Sequence, residues 1–243
     1  METEQLQSNV QARHDKNSSA ANTVYVNFID ALDASLDRYV KAKGLEFPEG
    51  KAASVFRNGQ KHYHRMRTMA RYGADDLKDI LKVEMNLILE GLKSRDAPEV
   101  KLLMHVLAGD VGRYVHSYPS RLSTLIDNLH LLVASYYEID VEGEFSITAA
   151  VGQQLAEYNR DLKYHLQRQV VKKDFTRLRN AEVHKAPDFM EWMEFGSEAE
   201  LPQVGLNFVD AEPSKKERAF DHLFPFYERT LETSARAVEL LLV

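Results

Sequence analysis

Residues 119–133 read PSRLSTLIDNLHLLV. Leu122, Leu125, Ile126, Leu129, Leu132 and Val133 recur three and four positions apart, the spacing of one helix face rather than the alternation of a strand. Pro119 and Ser120 precede the stripe, as they do where a helix begins. The same period recurs along the chain. Upstream, Val24, Phe28, Leu32, Leu36 and Tyr39/Val40 form a stripe that Gly44 and then Pro48 close. A weaker pattern over residues 49–71 predicts a second helix, interrupted at Gly59. Over residues 74–93, Leu77, Ile80, Leu81, Leu87 and Ile88 share a face. Asp75 and Asp76 lie in its first turn, where the helix dipole favours anions.

Pro98 opens a further helix with Val100, Leu103, Met104 and Leu107 inward, which Gly109 and Gly112 are expected to break or shorten. A long helix is expected from about Thr148 toward Asp174 on Leu155, Leu162, Leu166 and Val170, and another from near Asp174 with Phe175, Leu178 and Val183. Residues 186–214 are acidic and hold Pro187, Gly196, Pro202, Gly205 and Pro213. They read as a long loop with a short hairpin near residues 204–209. The last helix, 215–242, carries Phe220, Leu223, Phe224, Leu231, Val238 and Leu242, and Pro225 should kink or split it. The expected fold is all-α, a bundle of about seven helices with a long acidic loop before the last one. Residues 1–20 are polar and aperiodic and read as a mobile tail, leaving residues 21–243 as one helical domain.

Composition narrows the chemistry. The 243 residues are 44% hydrophobic and 28% charged, enough for a sizeable core and unlike a disordered chain. Only 11 Gly and 7 Pro are present, too few turns for a sandwich or an α/β sheet. No apolar run reaches the length of a membrane span, and METEQLQSNVQARHDKNSS lacks the apolar centre of a secretory signal. A cytoplasmic protein is expected. There is no cysteine, which excludes disulfides, thiolate metal sites and cysteine nucleophiles. P-loop, GxGxxG and GxSxG patterns are absent, so the chemistries they carry have no support.

The net charge of −6 conceals two basic segments. Residues 51–71 hold Lys51, Arg57, Lys61, Arg65, Arg67 and Arg71 and no acid. Residues 160–185 hold Arg160, Lys163, Arg168, Lys172, Lys173, Arg177, Arg179 and Lys185 against Asp161, Asp174 and Glu182. Such runs are solvated helix faces or tracks for a phosphate backbone. Tyr63, Tyr72, Tyr158 and Tyr164 lie in or beside them and could stack on bases, or be core.

Within the second segment, residues 175–185 read FTRLRNAEVHK. Arg179 and His184 enclose four residues, and Asn180 follows the arginine. A neutral imidazole can take the proton of a ribose 2′-hydroxyl, and an arginine fork can hold the scissile phosphate. Asn180 can orient either group. Spacing alone is weak: Arg57/His62 and Arg160/His165 share it, and RNGQKH even repeats the Arg-Asn start. Context separates them. Gly59 is awkward in a rigid helical site, whereas Leu178 and Val183 supply apolar anchors beside the third pair. The plain alternative makes His184 a structural histidine and Arg179 a surface ion-pair partner.

The string Leu178-Arg179-Asn180-Ala181-Glu182-Val183-His184-Lys185 resembles the signature of the HEPN superfamily, an Arg, often Asn, and then His after four to six residues. A helical bundle is what that resemblance implies. It further implies a metal-independent endoribonuclease without cofactor, acting as a homodimer whose Arg–His pairs share a cleft, often in toxin–antitoxin or antiviral defence. Arg179 and His184 would be the catalytic pair and Asn180 a helper. Arg177, Lys173, Lys185 and Arg168 would bind RNA, and Tyr164, His165 or Asp161 could add a further polar group. RNA and an antitoxin or other regulatory protein are the implied partners. The alternative is a non-catalytic module of the same fold that binds RNA or protein.

Other constellations are weaker. His62 and His64 point in different directions on a helix, and Asp127/His130 lacks the repeated Glu-x-x-His of a metal-binding bundle. Trp192 stands among Phe189, Met190, Met193 and Phe195, either a loop pinned on the core or a docking patch.

Overall fold

Helices account for nearly all of the architecture. The computed structural model describes residues 2–43, 50–93, 98–142, 146–168, 191–194, 203–206 and 218–242. These residues form helices α1 (Glu2–Lys43), α2 (Gly50–Lys93), α3 (Pro98–Tyr137), α4 (Ile147–Tyr158), α5 (Arg160–Arg168) and α6 (Ala219–Leu241). Two short strands, β1 (Glu191–Glu194) and β2 (Gln203–Leu206), pair antiparallel with Trp192 opposite Gly205. The fold class is all-α, and of the hairpin expected near residues 204–209 only the second strand falls there, the first lying at 191–194.

The contacts group into two compact units. One comprises residues 1–23, 73–119 and 177–226, the other residues 24–72, 120–176 and 227–243. In the first unit the buried apolar side chains include Val10, Leu77, Ile80, Leu81, Ile88, Tyr118, Phe220 and Leu223. The hydroxyl of Tyr118 donates to the carbonyl of Leu223 at 3.2 Å, so a fully buried ring keeps its polar end satisfied. Beside them Arg218 grips Glu84 with two hydrogen bonds, Nε to Oε1 at 2.6 Å and Nη2 to Oε2 at 2.8 Å. Arg13 reaches the same carboxylate at 3.7 Å. Burial pulls the Arg218 guanidinium down, but the hydrogen bonds and charge of Glu84 outweigh it and hold it above its ordinary value. Burial and the neighbouring Arg218 lower Arg13.

In the second unit the 119–133 stripe is the core: Leu122, Leu125, Ile126, Leu129 and Val133 are fully buried. Phe28, Leu32, Met66, Ala70, Val151, Leu155, Leu162, Tyr227, Leu231 and Val238 are buried in the same unit. Each large aliphatic side chain taken from water here stabilises the fold by about 1.5–3 kcal/mol. The Tyr227 hydroxyl donates to the Ala70 carbonyl at 2.9 Å. α3 ends with Glu138 in the left-handed region (φ 54°). The Ile139 amide donates back to the Ala134 carbonyl at 2.9 Å, the wide turn that closes many helices.

Several boundaries differ from expectation. Residues 2–20 are not a tail but the first half of α1. Val10 is 1% exposed, and i,i+4 side-chain bonds Gln5–Asn9 and Gln11–Asp15 brace the polar surface. The segments expected over 49–71 and 74–93 are one helix that runs through Gly59 and Gly73. α3 likewise continues through Gly109, Gly112 and Pro119, and α6 is neither ended nor divided at Pro225. A glycine weakens a helix by only about 1 kcal/mol. A proline removes one ladder bond at about 3 kcal/mol, less than the burial of the neighbouring stripe returns. Conversely, the helix expected over 148–174 is divided at Asn159, whose extended backbone (φ −151°, ψ 99°) ends α4. Its Oδ1 accepts from the Leu162 amide at 2.9 Å as the N-cap of α5. The helix expected from near Asp174 falls outside the described residues.

Candidate functional site

Arg177, Arg179, Asn180, His184, Lys173 and Lys185 lie outside the described residues. Arg168 is described. It closes α5 as an exposed side chain, its Cζ 5.5 Å from the Tyr164 ring centroid. α5 is strongly amphipathic by sequence: Leu162 and Leu166 are buried, while Arg160, Tyr164 and Arg168, four residues apart in succession, are exposed. Tyr164 keeps 60% of its surface exposed. At the α4–α5 junction Tyr158 is 55% exposed and stacks on Tyr137 at 5.2 Å. An exposed ring beside guanidinium groups offers a base-stacking surface with charge for a phosphate.

Of the three further polar candidates near the motif, Tyr164 and Asp161 face solvent. His165 is half-buried and its Nε2–H donates to the Thr233 carbonyl at 2.8 Å, which joins α5 to α6. The Arg160/His165 pair is therefore divided between solvent and packing. In the Arg57/His62 pair the arginine side chain is outside the described residues. His62 is half-buried and bonded through Nδ1 to Asn128 Oδ1 at 3.1 Å. Asn128 donates its own amide to the Thr124 carbonyl at 2.8 Å, which turns its Oδ1 toward the ring and assigns the proton to Nδ1 of His62. Burial is the main cause that holds the His62 pKa below the ordinary histidine value. The charges of Arg65 and Lys61 push the same way, and the Asn128 hydrogen bond pushes back.

The four tyrosines singled out from the sequence separate clearly. Tyr72, Tyr158 and Tyr164 are exposed, and Tyr63 is core at 5%. The Tyr63 hydroxyl donates to Asp33 of α1, which also accepts from Arg67 at 2.6 Å. Burial and the Asp33 carboxylate both push the Tyr63 pKa up. No periodic signal in the sequence couples Asp33 to residues 63–67, because the pairing is between helices. His130 is buried and donates from Nδ1 to the Ile126 carbonyl at 2.8 Å, so it has a structural bond of its own. Among the described residues no group of three His, Asp or Glu side chains is placed to hold a metal ion. None of their helices is long and apolar enough to cross a membrane. Trp192 is placed on β1, and its side chain is outside the described residues.

Sequence reasoning also missed a cleft of about 520 Å³ between α1 and α6 in the second unit. Phe28 and Leu231 line its apolar part, and Arg38, Arg236, Glu228 and Glu239 its charged part. Arg236 and Arg38 both pair with Glu239, and with these two arginines the carboxylate is held below its usual range. In comparison with known proteins, no family model, no curated protein and no solved structure matches the chain.

Proposed function

We propose that the chain is a metal-independent endoribonuclease of HEPN type, acting in the cytoplasm as a homodimer on single-stranded or looped RNA. The observation that carries this reading is the string of residues 178–185 within a locally basic segment. His184 takes the proton from a ribose 2′-hydroxyl, and the 2′-oxygen attacks the adjacent phosphorus. The phosphorus–5′-oxygen bond breaks, and the leaving oxygen is protonated. The products are a 2′,3′-cyclic phosphate and a 5′-hydroxyl, so no water or redox partner is consumed. Arg179 holds the phosphate and offsets the charge that grows on it, and Asn180 orients the imidazole or the phosphate. Arg168, Arg177, Lys173 and Lys185 hold the flanking backbone.

Two features support the reading. The imidazoles of the other two Arg/His pairs are engaged, by Asn128 and by the Thr233 carbonyl. The part of the basic segment that is described, α5, turns Arg160, Tyr164 and Arg168 outward. An activity of this kind suits a toxin restrained by an antitoxin or another regulator. Purified protein incubated with total cellular RNA in EDTA is expected to cleave it, and His184→Ala to cleave at least about a hundredfold more slowly. Equal cleavage by both, or cleavage by neither across varied RNAs, overturns the assignment. Retention of RNA without products would instead mark a binding module.

A further inference from the structure

The basic run over residues 51–71 takes no part in the chemistry proposed above. From residue 61 onward its side chains are described, and they divide sharply. His62, Tyr63, Met66 and Arg67 turn inward or onto neighbouring helices: to Asn128, to Asp33, into the core, and to Asp33 again. Lys61, His64, Arg65, Thr68, Arg71 and Tyr72 are all exposed. Their spacings of three, four and seven place them on one helix face, about 16 Å long at 1.5 Å per residue. At its far end the Arg121 guanidinium of α3 lies 5.3 Å from the Tyr72 ring centroid, and the ring keeps 45% of its surface exposed.

We propose that this outward face of α2, residues 61–72, binds the phosphate backbone of single-stranded RNA, with Tyr72 as a stacking platform for a base. Lys61 and Arg65 are neighbours at i and i+4, and the segment that carries them holds no acid. Of the acids on adjoining helices, Asp33 is taken by Arg67 and Tyr63, and Asp127 of α3 is half-buried. The positive field is also felt at His62, where Arg65 and Lys61 disfavour a further proton. A row of cations ending in an exposed aromatic ring is the arrangement that tracks a single strand without reading its sequence. An anionic membrane would meet the same charge, but insertion needs aliphatic side chains. Tyr72 is the one large hydrophobic exposed on this face among the described residues. The inference rests on the α2 side chains and is independent of whether residues 178–185 cleave RNA.

The test measures fluorescence anisotropy of a labelled single-stranded RNA 20-mer, with every variant built on His184→Ala so that no substrate is consumed. Lys61→Gln/Arg65→Gln is expected to weaken binding about tenfold or more at low salt. The slope of log affinity against log salt should become shallower by about 1.4, since each lost phosphate contact on a single strand contributes about 0.7. Lys61→Arg/Arg65→Lys keeps both charges and should retain affinity, which separates a charge effect from a folding defect. Tyr72→Leu should weaken single-strand binding about tenfold and leave a duplex of equal length unaffected. Unchanged affinity in the double glutamine variant overturns the proposal. So does an equal loss from Lys41→Gln/Arg229→Gln, two exposed cations of the same unit that are carried by α1 and α6. Binding to phosphatidylserine vesicles but not to the RNA would overturn it in favour of a membrane surface.

Discussion

His62 is the side chain whose environment makes the sharpest demand on solution behaviour. Its ring is half-buried, its Nδ1 proton goes to Asn128, and burial keeps its pKa below the ordinary value near 6.5. In the unfolded chain the same imidazole protonates earlier as pH falls. Between the unfolded and the folded pKa the unfolded state therefore binds more protons. The contribution of His62 to stability is complete above the unfolded pKa and is lost as pH falls below it. Urea denaturation followed from pH 7.5 to pH 5 should show wild-type protein losing stability more steeply than His62→Gln. Parallel curves would mean that the ring is not desolvated in the folded protein. The sequence presents His62 only as one member of an Arg-Asn-x-x-x-His string and half of a His-x-His pair. Its partner Asn128 comes from another helix, at a sequence separation of 66, and no local pattern encodes that pairing.

Among the elements, the α4–α5 junction turns on one side chain. Asn159 caps α5 through Oδ1, and its Nδ2 donates to the Tyr137 hydroxyl at 3.2 Å and to the Leu240 carbonyl at 3.1 Å. One amide thus ends one helix, starts the next and ties both to α3 and α6. Asn159→Ala removes a cap worth about 1–2 kcal/mol and leaves two further groups without this partner. A loss of about 2 kcal/mol or more in chemical denaturation is expected, and a loss below about 0.5 kcal/mol would show the junction to be held by packing alone. The stripe of Leu155, Leu162 and Leu166 was legible in the sequence and all three are buried. The break was not, because an asparagine inside a periodic stretch looks like an ordinary surface residue until its partners are known. The opposite error occurred at Gly59, Gly109, Gly112 and Pro119, where residues that locally favour a break stand inside continuous helices of 44 and 40 residues. Residues 1–20 carried too few apolar positions for a periodic signal. Their docking relies on Val10 and on the Arg13 ion pair.

At the scale of the whole molecule, the two units each collect segments from the beginning, the middle and the end of the chain. The fold class followed from one repeated period, because any helix with an apolar face needs partners of the same kind. The assortment of segments into two units did not follow, since it depends on side chains that meet across long separations. Glu84 and Arg218 are the clearest case, 134 positions apart and both nearly fully buried. Glu84→Gln leaves the buried Arg218 guanidinium with only the more exposed Asp221, 3.3 Å from Nη1, as counter-charge, and removes the nearer charge that Arg13 faces. The expected destabilisation is about 3–5 kcal/mol. Differential scanning calorimetry should report it as a clear fall in melting temperature. A shift of a degree or less would show that water reaches the pair.

That same ion pair sets a timetable for the nascent chain. Glu84 leaves the ribosome well before Arg218 has been translated, and at about 5–20 residues per second the interval is roughly 7–27 s. Until then Glu84 has Arg13 as its neighbour but lacks its bidentate partner, and Phe220 and Leu223, buried in the same unit, have yet to be made. Polypeptides arrested before position 218 should therefore remain sensitive to protease and attractive to chaperones, and resistance should arise abruptly once the final helix is released.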